Sequence, residues 1–170
     1  MTSNEALERL LRSYVQYYDI KRENILPPFA AEAEFHSCEK GYFLTKKAEI
    51  SEAESNEYIF FYTTASLGPE DVKRAGDTAW KEGLARVEPH KDHKSSDIAV
   101  VFLADRISAE AFKAVKKDKR YKSYRHTLHG WSHFRTIAFE TTTGNLAHNH
   151  MGSHMKNLFS IMVNELKNND

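Results

Sequence analysis

The sequence predicts an α+β fold: a mixed, mainly antiparallel sheet of about five to seven strands with helices packed on it, in the order αβββαβαββ(β)α. Three observations predict it. Apolar residues recur at helical spacing near both ends and twice in the interior. The stretches between them alternate, or run continuously apolar, as strands do. The first three strand-like stretches also follow one another with no helix between them. A chain of 170 residues, 41% of them hydrophobic, is long enough to bury one core, and residues 1–170 are expected to form a single domain.

Thr2 with Glu5 three residues on is a capping-box pattern, and Leu7, Leu10, Leu11, Tyr14, Val15 and Tyr18 behind it lie on one helical face. The polar KREN and then Pro27-Pro28 end that helix. From Ala31 the period becomes two, with Ala33, Phe35 and Ser37 alternating with Glu32, Glu34 and His36, which marks a half-buried strand. Glu39-Lys40-Gly41 reads as a turn, residues 42–50 as a second strand, SEAESN as a polar connection, and residues 57–64 as a third strand near the sheet centre. Gly68-Pro69-Glu70-Asp71 opens a helix with proline in its first turn and acids on its positive end. Its inner face is Val72, Ala75, Ala79, Gly83 and Leu84, small enough to sit close to a sheet.

Residues 89–94 form a polar loop, and DIAVVFLAD at 97–105 is a strand buried on both faces. Ser108 caps a short helix reaching about Lys119, with Ala111, Phe112 and Val115 on its apolar side. Strands are expected over 124–128 and 132–141, joined at His129-Gly130, with a turn at Thr143-Gly144-Asn145 and a brief strand ending near His148. Met151, Met155, Leu158, Phe159, Met162, Val163 and Leu166 then repeat at helical spacing. That face can cover the sheet or a second copy in a homo-oligomer.

Lys plus Arg equals Asp plus Glu at 24 each, so no overall field draws the chain to nucleic acid or an anionic membrane. The single cysteine, Cys38, excludes an internal disulfide framework and reads as a small buried thiol. The acidic N-terminal stretch does not read as a secretory signal, and no apolar run is long enough for a membrane span, so a cytoplasmic setting is expected. Walker, GxGxxG, GxSxG, CxxC and HExxH patterns are all missing from the sequence. A binding or accessory protein is therefore expected ahead of an enzyme.

Three sets of residues are candidate sites. Six of the nine histidines fall within residues 126–154. Of these, His148, His150 and His154 have a spacing, two along a strand and then four along a helix, that can put three imidazoles around one divalent transition metal and make a metal-dependent hydrolase. His90, His93, His129, Trp131 and Arg135 are a second, ligand-binding set, combining loop histidines with a stacking ring and an anion clamp. Lys116, Lys117, Lys119, Arg120 and Lys122, interleaved with Tyr121 and Tyr124, are the third, suited to phosphates and bases of nucleic acid. Each has a plainer reading as solvated surface.

The leading order αβββαβ resembles the core of restriction-endonuclease-like nucleases, which implies acids on the second and third core strands and a lysine two residues past the latter acid. Glu49 and Glu57 are the acids so placed, but Ile59 stands where the lysine belongs, with Lys46 or Lys47 as substitutes from a neighbouring strand; the expectation is an inactive or divergent member. As a whole, through EYIFFYTT, RVEPHKDHKSSDIAVVFLAD and LHGWSHFR, the chain resembles a family of small, uncharacterised prokaryotic proteins grouped as domains of unknown function. That resemblance implies no activity.

Overall fold

The computed structural model describes residues 1–41 and 51–167, and the side chains of residues 1–37 and 53–166. The elements run α1 (Ser3–Tyr14), β1 (Asp19–Lys21), β2 (Ala31–Gly41), β3 (Ser51–Leu67), α2 (Pro69–Arg86), β4 (His93–Ile107), α3 (Ala109–Lys117), β5 (Tyr121–Ser123), β6 (Trp131–Glu140) and β7 (Leu146–His148), then a 3-10 segment, Ser153–Phe159, that passes into α4 (Ser160–Lys167). The strands form one sheet in the order β1-β2-β3-β4-β6-β5, with β7 also on β6. Its outer pairs are antiparallel and its two central pairs, β3 with β4 and β4 with β6, are parallel.

The parallel centre follows from the two helical crossovers, since a strand that continues through a helix returns in the same direction. The crossover helices α2 and α3 share one apolar cluster with Phe60, Val100 and Phe102 on one face of the sheet. On the other face α1 and the C-terminal segment bury Leu7, Leu10, Phe159 and Met162 against Phe61, Val101 and Phe139. Residues 98–104 of β4 are accordingly buried without a break, as their unbroken apolar run predicts. Gly83 lets α2 come down onto β4, because a Cβ there would lie 2.6 Å from the Ile98 side chain.

Helix starts match their sequence signals. The Thr2 hydroxyl accepts from the Glu5 amide at 3.2 Å, the Glu5 carboxylate accepts from the Thr2 amide at 2.8 Å, and Asp105 of β4 adds a third acceptor for the Ser3 amide at 2.7 Å. Ser108 caps α3 through the Ala111 amide at 3.1 Å.

Four local expectations are corrected. SEAESN is not a connection but the start of β3, held by antiparallel pairing to β2 and by parallel pairing to β4 from Glu54 onward. Glu39-Lys40-Gly41 is the end of β2 rather than a turn, paired with 51–53 of β3. Asp19–Lys21, read as a helix end, is edge strand β1 on β2, so the order αβββαβ is realised with β1, β2 and β3 as its three strands. Residues 124–128 are not a strand: Arg125, His126 and Thr127 all take positive φ in a left-handed turn, and the strand is β5 before it. The strand expected over 42–50, with Lys46, Lys47 and Glu49, and the Cys38 side chain lie outside the described residues. Among the described residues, no helix is long and apolar enough to cross a membrane.

Candidate functional site

Register places Glu57 of β3 beside Asp97 of β4, and Asp97 beside His133 of β6. Because side chains alternate along a strand, all three point to the face that carries α1 and the C-terminal segment, as does Arg135 two residues further along β6. Arg135 is paired with Ala99, whose methyl leaves room for a guanidinium to reach back across β4. Its Nη2 donates to Asp97 Oδ2 at 2.5 Å and its Nη1 to Glu57 Oε1 at 3.2 Å. Tyr18, just past α1, donates its hydroxyl to the second Glu57 oxygen at 2.6 Å. Arg135 Nε is buried and, among the described residues, has no hydrogen-bond partner.

Above these charges lies a cavity of about 300 Å³. Ile59 and Ala99 complete its floor; Ser13, Tyr14, Tyr17 and Tyr18 form one wall, and His154, Met155, Asn157 and Leu158 the other. The placement shifts the titrations. Burial, with the Glu57 charge beside it, raises the Asp97 carboxyl pKa above its ordinary value despite the Arg135 guanidinium. Burial and the same guanidinium lower that of His154, so its ring tends to stay neutral. Burial raises the Tyr14 and Tyr18 phenols, that of Tyr18 further through its bond to Glu57. A carboxyl raised and an imidazole lowered in one cavity is a combination found at functional sites and in buried ion networks alike.

Asp97 therefore works against the folded state once ionised. Its contribution to stability is fully present below the unfolded value of about 4 and is lost as pH rises through its raised native value. Asp97→Asn, which can still accept from Arg135, is expected to gain stability relative to the parent as pH rises over that window. Urea melts of both proteins at several pH values between about 4 and 7 check this; a relative stability that falls as pH rises would contradict it.

The structure scatters the C-terminal histidines. His154 lines this cavity, whereas His150 lines a second one of about 380 Å³ with Lys119, Arg120, Tyr121, His133, Phe134, Asn149 and Met151. His148 lies in β7 and donates Nδ1 to the Asn149 carbonyl at 2.8 Å. A turn at Asn149, closed by the Gly152 amide on the Asn149 carbonyl at 3.2 Å, separates strand from helix and turns the three rings apart. Among the described residues, no three His, Cys, Asp or Glu side chains are arranged to hold a metal ion.

The ligand-binding set is divided as well. Buried His93 donates Nδ1 to the His129 carbonyl at 2.7 Å, its Nε2 lies 2.8 Å from the Ser96 hydroxyl, and His90 donates to Glu54 at 2.9 Å. The His93–Ser96 pair has the hydrogen-bond order of an activated serine, but Ser96 is wholly buried and neither cavity reaches it. Trp131 is half-buried, its ring 6.5 Å from that of His133. Arg135 alone of this set lies in the first cavity.

Of the basic set, Lys116, Lys117, Lys119 and Lys122 are exposed, with Lys122 5.5 Å from the Tyr124 ring. Arg120 is already occupied: it bonds Asp118 at 2.8 Å and Asp77 at 2.8 Å and lies 4.9 Å from the Phe134 ring, so it holds α2, α3 and β6 together. Sequence reasoning missed Asp97 and the tyrosines. The one signal for the acids and Arg135 was a charge inside or beside each of three strands otherwise apolar enough to be buried.

Fold and site together define an α+β protein with helices on both faces of a mixed sheet and a charged cavity under α1. The chain belongs to the family described as a domain of unknown function, DUF8052, whose profile matches residues 2–161. Neither a curated protein nor a solved structure matches it.

Proposed function

We propose that this chain is a single cytoplasmic binding domain whose ligand is a small polar molecule seated between α1 and the C-terminal segment. The observation that carries the reading is the triad of Glu57, Asp97 and Arg135 beneath the tyrosine-walled cavity. Charges taken from water are expensive, and a sheet face of this kind is usually as stable with apolar residues in their place. The neighbouring positions are Ile59, Phe61, Ala99 and Val101, so apolar packing is what the rest of this face uses. Two carboxyl groups and a guanidinium stand where a cavity opens, and that favours recognition over stability as their role.

A thermal-shift screen of small amines, alcohols, sugars and carboxylates tests the reading, with Ser13→Trp as the control. Ser13 is an exposed residue on the cavity wall, so a tryptophan there obstructs the space without entering the core. A ligand at about one hundred times its Kd adds about 2.7 kcal/mol, worth roughly 5–10 °C in Tm for a chain of this size. The expected result is at least one compound that raises Tm in the parent and not in Ser13→Trp. No stabilising compound, or equal stabilisation of both proteins, would overturn it.

A further inference from the structure

We infer that the molecule this cavity takes is a small organic cation, an amine or guanidinium carried on a short apolar or aromatic body. The inference rests on the binding reading above and goes further by naming the chemistry. Two carboxylates share one guanidinium on the floor, which leaves one negative charge in excess when both acids are ionised. His154, the one histidine among the lining residues, is held toward its neutral form by burial and by Arg135 and so adds little positive charge there. Both oxygens of Glu57 accept hydrogen bonds, from Arg135 and from Tyr18, whereas Asp97 uses only Oδ2; among the described residues, Oδ1 receives no donor. A ligand ammonium beside Asp97 supplies both the missing charge and the missing donor.

The walls agree with the floor. Tyr14, Tyr17 and Tyr18 come from one stretch of chain, with the Tyr14 and Tyr18 rings edge to face at 4.8 Å, and aromatic faces attract a cation in a partly desolvated site. Met155 and Leu158 opposite them suit an apolar body, and about 300 Å³ is at the small end of ligand cavities. An anion finds little of what it needs: Arg135 carries the one full positive charge among the lining residues, both ends of its fork are engaged by carboxylates, and only its buried Nε is left without an acceptor among the described residues. A neutral ligand leaves the excess charge uncompensated.

The test is a matched set, phenethylamine, 2-phenylethanol and 3-phenylpropionate, titrated calorimetrically into the full chain at pH 7.5 and fixed ionic strength. The parent is expected to bind the amine at least about tenfold more tightly than the alcohol or the acid, and Asp97→Asn to lose about tenfold for the amine alone, the size of one charge-assisted bond. Ser13→Trp abolishes binding, and circular dichroism of both variants confirms that they fold. If neutral or anionic compounds bind as well as the amine, in this set or in the wider screen, and Ser13→Trp still blocks them, the cation assignment falls and the binding reading stands. If amine binding survives Asp97→Asn unchanged, the assignment falls too. If no compound binds the parent at all, both fall.

Discussion

Arg86→Met is expected to lower stability by about 3–5 kcal/mol, the usual result of stranding a buried carboxylate, here Glu32, by removing its ion partner. Arg86, the last residue of α2, joins that helix to β2: its guanidinium lies 2.8 Å from Glu32, 2.6 Å from Glu34 and 3.0 Å from Glu82, and 5.2 Å from the Phe60 ring. The Glu32 side chain is 4% exposed, and among the described residues its one other polar partner is the Leu26 amide, which donates to it at 3.4 Å. Without Arg86 a carboxylate is left in the interior with Glu34 as its neighbour, and methionine replaces the stem of the arginine but not the charge. Total stability of a domain is about 5–15 kcal/mol, and the loss should lower Tm by roughly 6–20 °C. Pairing the change with Glu32→Gln removes the stranded charge and should recover a large part of the loss, because the two positions are directly coupled. Urea melts of the four proteins in that cycle measure both terms. A loss under about 1 kcal/mol for Arg86→Met, or no recovery in the double variant, would mean that the cluster is solvated and carries little.

What was legible in the sequence is what local spacing controls. Thr2 and Glu5, Pro69 with its acids, Ser108, the run 97–105 and the methionine stripe each announce an element because their signals lie within a turn or two of one another. The pocket lacks such a signal. Arg135 meets Asp97 across 38 residues and Glu57 across 78, and they meet only because two parallel crossovers set β3, β4 and β6 in register. The histidines show the opposite case. They are concentrated in sequence and dispersed in space, because a strand, a turn and a 3-10 segment each present their residues in a different direction. SEAESN and the short β1 carry no strand signal because their residues are mostly polar, yet pairing partners on β2 and β4 outweigh weak intrinsic preference.

The residue that matters within His148-Asn149-His150 is the asparagine. Along its outer edge β6 pairs with β5 at 131–133 and with β7 at 137–139, and among the described residues no strand pairs with 134–136 there. Asn149 stands in for one. Its side-chain NH₂ donates to the Phe134 carbonyl at 2.8 Å and to the Asp118 carbonyl at 2.7 Å, while its oxygen accepts from the Thr136 amide at 3.2 Å and the Gly152 amide at 2.8 Å. All four partners are backbone groups in or beside the interior, and each one orphaned there costs about 1–3 kcal/mol, so Asn149→Ala is expected to lose at least about 3 kcal/mol. Asn149→Asp should lose a similar amount, for it keeps the shape but turns both donors into an acceptor facing two carbonyl oxygens. His148→Ala removes one bond to the Asn149 carbonyl, which keeps the Gly152 amide as a donor, and His150→Ala removes no side-chain bond among the described residues, so each should cost under about 1 kcal/mol. Chemical denaturation of the series separates the cases, and equal losses at all three positions would show that the triplet is a surface turn. Residues 134–136 include Arg135, so loosening this edge also frees the guanidinium that holds Glu57 and Asp97 together. Any surviving Asn149→Ala protein should therefore bind ligand more weakly than its residual stability alone would suggest.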